Sequence, residues 1–348
     1  MKRAPSPARR ARTLLAVGLV SLASVAASVG GPPRTPEEHR RGGVQTFRSL
    51  PDWTPVQSRT ELAAYLAAQQ APSAFPFFSH VAQFWQSYGA ISQATPSSTF
   101  DLGHHLRAVG TGVAHGFEFG LKACYEATVG HLAEASANGP TAEEQLAARV
   151  ALDYADFIRG RRPQDYDHLA RLNELWQAAP LWGDNVLRKW ERRFALSTEY
   201  GAKAAWGWVM HQVDGSEPAA PPATALLLNR WPASGAELPA LKKVRDLGGG
   251  VLATLPRRAT FTDYAVPLAQ QGVRFEEVAG NQGPILVSVL MPPEAAPVIE
   301  ARLLLTQPVL TRPDIERRWL AVPVPELADA LCAWAARPEL QVDHIYDF

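Results

Sequence analysis

Residues 104–126, HHLRAVGTGVAHGFEFGLKACYE, constrain the fold more than any other stretch of the chain. Wound at about 100° per residue, the segment separates into two stripes. Gly112, Gly116 and Gly120 recur at i, i+4 and i+8 along one ridge. Each helical Gly costs roughly 1 kcal/mol relative to Ala, so three on one ridge are expected where another backbone packs at close range, the soluble counterpart of a small-xxx-small interface. The second stripe holds Thr111, His115, Glu118 and Lys122, with Glu126 one turn further on. Glu118 and Lys122 stand in the favourable i, i+4 order. Phe117, Phe119, Leu121, Ala123 and Tyr125 surround them, so burial of the pair is expected; a buried pair holds geometry more than it stabilises.

The pattern returns about eighty residues later. EFGLKACY at 118–125 is echoed by EYGAKAAW at 199–206, with Glu, Gly, Lys and Ala coincident and both aromatic positions kept aromatic. Two related helices facing each other would bring Glu118, Lys122, Glu199 and Lys203 into one core.

The N-terminus speaks to destination. Lys2, Arg3, Arg9, Arg10 and Arg12 precede an apolar run at 13–29, and Val25-Ala-Ala27 fits a small-x-small cleavage pattern. Residues 1–29 therefore read as an export signal or an anchor, and the chain as a periplasmic or otherwise extracytoplasmic protein. The run is at the short limit for a spanning helix, and no Cys follows it to carry a lipid. Residues 30–57, rich in Pro, Gly and Arg, read as a solvated tether. Formal neutrality, with 34 basic and 34 acidic residues, leaves no surplus for nucleic acid. Cys124 and Cys332 match no metal or redox spacing and read as two buried thiols.

Helical periodicity begins with Ser58 as a cap and a helix to residue 70. Further helices are predicted at 74–94, 104–126, 141–158, 167–176 and 185–211, giving a bundle of six or seven over 58–212. Residues 213–222, VDGSEPAAPP, form the clearest linker. Beyond it, short segments at 224–229, 236–247, 251–256, 261–271, 273–278, 285–291, 301–305, 319–324, 326–336 and 342–346 suggest a small α+β domain over 223–348. Their order favours a sandwich of ferredoxin-like type. Such a fold hosts many functions and decides none.

Candidate chemistry centres on the same helices. His104, His105, His115, Glu118, Glu126 and His131 invite a metal, but His115-x-x-Glu118 reverses the usual ligand order and Lys122 would sit beside the ion. A satisfied polar seam is the preferred reading. Lys122 and Lys203 each have a carboxylate at i−4, which favours the charged form over a nucleophilic amine. Gly248-Gly-Gly250 lacks the spacing of a phosphate loop and reads as a turn. Arg188, Lys189, Arg192 and Arg193 form a basic face that suits either anionic lipid or, more commonly, solvent and nearby acids. The ending DHIYDF at 343–348 reads as a strand tied into the sheet.

FPFF at 75–78 with FW at 84–85, EFGLK at 118–122, PLWGD at 180–184 and RKWERR at 188–193 form one set. EYGAKA at 199–204, VAGN at 278–281 and HIYDF at 344–348 complete it. Together they resemble an uncharacterised family of exported bacterial proteins with an N-terminal hydrophobic segment. The likeness spans most of the chain from Phe75 and implies no activity. One departure is the polar content of the organising helix, Arg107 and His115, which argues against a membrane-embedded helix there.

The expectation is an exported envelope protein acting as a non-enzymatic binding or scaffolding module. Its partners would be envelope proteins or the membrane surface, with no cofactor. The alternative is an enzyme or a metal- or ligand-binding protein with its site among Glu118, Lys122, Glu199, Lys203, His115 and Glu126.

Overall fold

A computed structural model describes residues 32–95, 100–178, 181–213, 223–233, 238–296 and 299–348. The expected signal segment and nearly all of the expected linker lie outside them. Among the described residues eight α-helices precede the strands: α1 (Gln45–Arg48), α2 (Leu50–Ala67), α3 (Phe77–Ala94), α4 (Leu102–Tyr125), α5 (His131–Ala135), α6 (Ala142–Gly160), α7 (His168–Ala178) and α8 (Val186–Val213). A π turn, Glu126–Gly130, carries α4 into α5. Local chemistry sets the ends. Asp101 caps α4 by accepting from the His104 N–H, and Thr141 with Glu144 closes a capping box on α6.

Residues 32–57 are not a solvated tether. The backbone N–H groups of Arg34 and Thr35 donate to the two oxygens of the buried Glu277 carboxylate at 2.7 and 2.8 Å. The Arg41 N–H donates to the Ala279 carbonyl, and the helix expected from Ser58 starts at Leu50. Leu50, Trp53 and Val56 are buried, so apolar residues inside a polar, Pro-rich stretch anchor it.

The strands are β1 (Ala223–Leu228), β2 (Lys242–Leu247), β3 (Gly250–Pro256), β4 (Phe275–Val278), β5 (Pro284–Met291), β6 (Arg302–Val309), β7 (Arg312–Pro323) and β8 (Gln341–Tyr346). Helix α9 (Ala259–Gln270) precedes β4 and α10 (Leu327–Ala335) precedes β8. The α+β character holds, but the strands do not make the single sheet of a ferredoxin-like sandwich. They pair as two antiparallel sheets, β2-β3-β1-β4 and β6-β7-β5-β8. Each is the product of the same βββαβ order, so the region is a topological repeat. Gly248 and Gly249, both with positive φ, form the turn between β2 and β3 that their lack of a Cβ permits. Edge strand β2 exposes Lys242, Lys243, Arg245 and Asp246, a charged edge that discourages further pairing.

Helices α9 and α10 pack together and share one core with both sheets, built from Leu226, Phe261, Leu268, Val287, Leu331 and Trp334 among others. The second sheet is covered on both faces. Alternate β5 residues Ile285, Val287 and Val289 enter that core, while Leu286 joins Trp319 and Tyr346 against Trp53, Val56 and Ile158 of the helical region. Trp53 stacks on His344 with ring centroids 3.6 Å apart. In the same interface Arg317 bridges Asp343 at 3.1 Å and Glu61 at 3.3 Å, and the Trp319 indole N–H donates to the Tyr346 hydroxyl. The 343–348 ending is thus a strand tied into the sheet and pressed against α2.

This interface makes the two regions one cooperative unit. Trp53→Ala is expected to cost about 3–5 kcal/mol while denaturant unfolding, followed by far-UV circular dichroism, keeps a single transition. Two separated transitions in the unmodified protein would show that the interface does not couple them.

Candidate functional site

The glycine ridge of α4 faces α3. A Cβ on Gly112 would lie 2.3 Å from the Phe84 ring and 2.9 Å from Trp85, while Gly116 meets Val81 and Gly120 meets Phe78. Side chains, Phe78, Val81, Phe84 and Trp85, rather than a second backbone, fill the groove that the glycines open. The other expected stripe turns inward, and the echo in α8 meets it crosswise. Lys122 Nζ donates to Glu199 Oε1 at 2.8 Å, and Lys203 Nζ lies 3.1 Å from Glu118 Oε1. Within α8, Lys203 also donates to Glu199 at 2.6 Å; within α4, Lys122 stands 3.8 Å from Glu118. Sequence reading missed the fifth member: Arg59 of α2 donates to Glu118 Oε2 at 2.5 Å. Its signal in the sequence was faint, a lone Arg on the helix beginning with Leu50.

These five side chains are about one-fifth exposed, at the mouth of a cavity of about 70 Å³ between α2, α4, α6, α7 and α8. Leu62, Val150 and Leu196 form its apolar wall, and His168 lies beside it with Nδ1 unpartnered. That is room for a few waters, far below the roughly 300 Å³ of an ordinary small-molecule pocket. Burial alone would raise the Glu199 carboxyl, but Lys122 and Lys203 outweigh it and hold the pKa at about 2. Glu118, opposed in the same way by burial, is held well below the usual carboxylate range by Arg59, Lys203 and Lys122. Burial likewise works against the Lys203 ammonium, yet Glu118 and Glu199 push its pKa above the ordinary value. Both lysines are bonded to carboxylates, and the cluster sets three basic side chains around two acidic ones.

The remaining candidates lie elsewhere. Glu126 takes a bidentate pair from Arg192 at 2.8 and 3.0 Å, in a second buried network. There Arg188 bonds Glu144 and Glu191, and Arg193 bonds Glu143. The basic face of α8 is therefore neither solvated nor free for lipid: Arg188, Lys189, Arg192 and Arg193 are all buried. His115 is buried against Phe119 and near Phe84, with both ring nitrogens unpartnered. His105 pairs with the Tyr88 hydroxyl at 2.9 Å, and His131 is exposed. Among the described residues no three His, Cys, Asp or Glu side chains converge as a metal site would require.

With the charges inside, apolar residues face out. Phe117 and Leu121, expected to help bury the Glu–Lys pair, are 73% and 60% exposed. They continue an outward stripe of Leu102, Leu106, Val109 and Val113, and Cys124 on the same helix is exposed rather than a buried thiol. From α4 through α5 the exposed residues carry one formal charge, Arg107; those of α8 up to Gln212 carry none. On α8 the outward residues include Leu187, Trp190, Phe194, Trp206 and Trp208, and α3 adds Phe78 and Trp85. By contrast α6 presents Arg149, Asp153 and Asp156 to solvent. The i, i+4, i+7, i+11 spacing of Leu102, Leu106, Val109 and Val113 was visible in the sequence, on the side of the helix away from Glu118.

Removing one partner from the charge cluster leaves a poorly compensated ion. Glu199→Gln is expected to lower stability at pH 7 by on the order of 3 kcal/mol, which is the shift from 4.5 to about 2 in free-energy terms. The sign follows from a depressed folded pKa. The contribution is complete above about 4.5 and fades as pH falls toward 2, so the variant should show a shallower loss across that window in urea titrations.

The buried histidines act at higher pH. Burial holds His80 and His344 at about 3, and His115 and His168 at about 4, all below the ordinary 6.5; nearby Arg59 and Lys203 add to the depression at His115 and His168 respectively. The unfolded chain therefore binds more protons between about pH 6.5 and 4, and stability should decline on acidification through that range. His115→Phe should flatten part of this slope in pH-dependent thermal melts.

Compared with known proteins, the chain matches no protein-family model, no curated protein and no solved structure.

Proposed function

We propose that the protein is a non-enzymatic binding or scaffolding module of the bacterial envelope, and that it binds through the outward apolar face of α3, α4 and α8. The observation that carries this reading is the inverted helical region. Its carboxylates and cations pair with one another inside, whereas Phe117, Val113, Phe194 and Trp208 face out. Large apolar side chains exposed in this number on neighbouring helices mark an interaction site. An envelope location rests on the basic residues and apolar run of 1–29.

The alternative, an enzyme or ligand-binding protein working between Glu118/Lys122 and Glu199/Lys203, has the small cavity and the unpartnered His168 Nδ1 in its favour. It requires that Glu118→Gln fold normally yet lose a bound metal or ligand, seen by native mass spectrometry.

A photoreactive amino acid placed at Phe117 is expected to give a covalent adduct in the producing cell, while the same group at Asp156 gives none. Equal, background-level labelling at both positions would sink the reading, since it would leave the face in water.

A further inference from the structure

We infer that the surface covered by this face is a phospholipid bilayer, with α4 lying in the plane of the membrane interface. The inference rests on the preceding reading that the face is where the protein binds.

Charge argues first. No carboxylate is exposed on α4, the π turn, α5 or α8 up to Gln212, although these elements contain Glu118, Glu126, Glu134, Glu191 and Glu199. Each of those acids is drawn into an ion pair with Arg or Lys: Glu118 with Arg59, Glu126 with Arg192, Glu134 and Glu191 with Arg188, Glu199 with Lys122. The one formal charge that α4 leaves outside, Arg107, lies three turns before Glu118 and so on that residue's side of the helix, away from the stripe. The stripe itself therefore carries no formal charge, and no ion has to be dehydrated when it enters a bilayer.

Hydrogen-bonding capacity argues second. Protein interfaces carry about one direct hydrogen bond per 100–200 Å², with a polar rim. The stripe of Leu102, Leu106, Val109, Val113, Phe117 and Leu121 has no side-chain donor or acceptor to fix the register of a protein partner. Lipid needs none. Trp85 of α3, which packs at Gly112 of α4, adds a large amphipathic ring, and such rings favour the headgroup level.

Length argues third. At 1.5 Å per residue the 24 residues of α4 extend for about 36 Å, yet no described helix is long and apolar enough to cross a membrane. A long helix, apolar on one side and charged on the other, lies in the interface with its apolar side about 5–10 Å deep. The chain supplies its own route there. The apolar run of 13–29, with Lys and Arg before it, reads as an export signal or an anchor and ends shortly ahead of Pro32, which would bring the helices to a bilayer.

Cys124, exposed on α4, provides the probe position. The full chain carrying Cys332→Ser is labelled there with a polarity-sensitive fluorophore and mixed with vesicles of phosphatidylethanolamine and phosphatidylglycerol. The expected result is a blue shift with quenching by doxyl-labelled lipid, and no change when the label sits at Asp156→Cys (in the Cys124→Ser, Cys332→Ser background). Val113→Glu with Phe117→Glu should remove the Cys124 shift without moving the melting temperature, because both positions are exposed. Two outcomes overturn the inference. In one, the chain floats with vesicles through its N-terminal segment while the Cys124 label still reports water. In the other, the label is already blue-shifted without lipid and the protein sediments as a dimer, which assigns the face to a second copy. A protein adduct at Phe117 in cells together with an aqueous Cys124 label would refute the bilayer while leaving the binding reading intact.

Discussion

The helical region is governed by the need to neutralise the cations buried on α8. Moving one ion of this kind into a low-dielectric interior costs several kcal/mol even after relaxation. Arg188, Arg192, Arg193 and Lys203 all lie on α8, whose own Glu191 and Glu199 are too few for them, so further acids arrive from other elements. They come from α4 (Glu118), the π turn (Glu126) and α6 (Glu143, Glu144). This requirement fixes the rotation of α4 and α8 about their axes. Once Glu118 and Glu126 point at their cations, the 3.6-residue period leaves Val113, Phe117 and Leu121 no inward position. The apolar exterior is the geometric consequence of the charged interior. The π turn at Glu126–Gly130 belongs to the same arrangement: Glu126 lies close over Gly130, where a Cβ would stand 2.3 Å from its carboxylate oxygen.

A second constraint comes from sheet β6-β7-β5-β8, which has no solvent-facing side over its centre. Period-two alternation on β5 divides its side chains between two cores, one with α9 and α10 and one with α2 and α6. Polar groups on the helix-facing side must then be satisfied internally. Asp343 accepts from Arg317, Ser288 and Gln57, and its pKa falls below the usual value because these partners outweigh the burial that would raise it. Thr46 links the layers by donating to the Tyr346 carbonyl and accepting from the Leu286 N–H. The strap formed by residues 34–48 thus joins both sheets to α2, and the interface cannot open without exposing paired charges.

Much of this was legible locally. Helical periodicity located α3, α4, α6, α7 and α8 to within a few residues, and the repeated Glu-x-Gly-x-Lys words brought Glu118, Lys122, Glu199 and Lys203 together as read. What escaped has three physical causes. The strap escaped because the carboxylate that orders it, Glu277, lies more than two hundred residues away, and composition is blind to such partners. The paired sheets escaped because apolar alternation marks a strand without naming its neighbour; β1 and β5 read alike, yet each founds its own sheet. The outward face escaped because hydrophobicity was equated with burial. Phe119 obeys that rule at full burial, and Phe117, two residues before it, breaks it.

That exception bears on function. The contacts that hold α4 in place are Phe119 in a cluster with Phe75 and Phe77, the glycine ridge against α3, and the ion pairs inward of it. None of them uses Leu106, Val113 or Phe117. Polar residues at those three positions would leave every one of these contacts in place and would cost less in water, where apolar surface is unfavourable by about 25 cal/mol per Å². The fold does not call for hydrocarbon there. A medium that removes the face from water makes the same residues favourable, and the direction of the internal charges then acquires a purpose. On the proposal that this medium is lipid, ions locked in pairs inside the bundle are ions that would not have to be dehydrated when its outer surface leaves water.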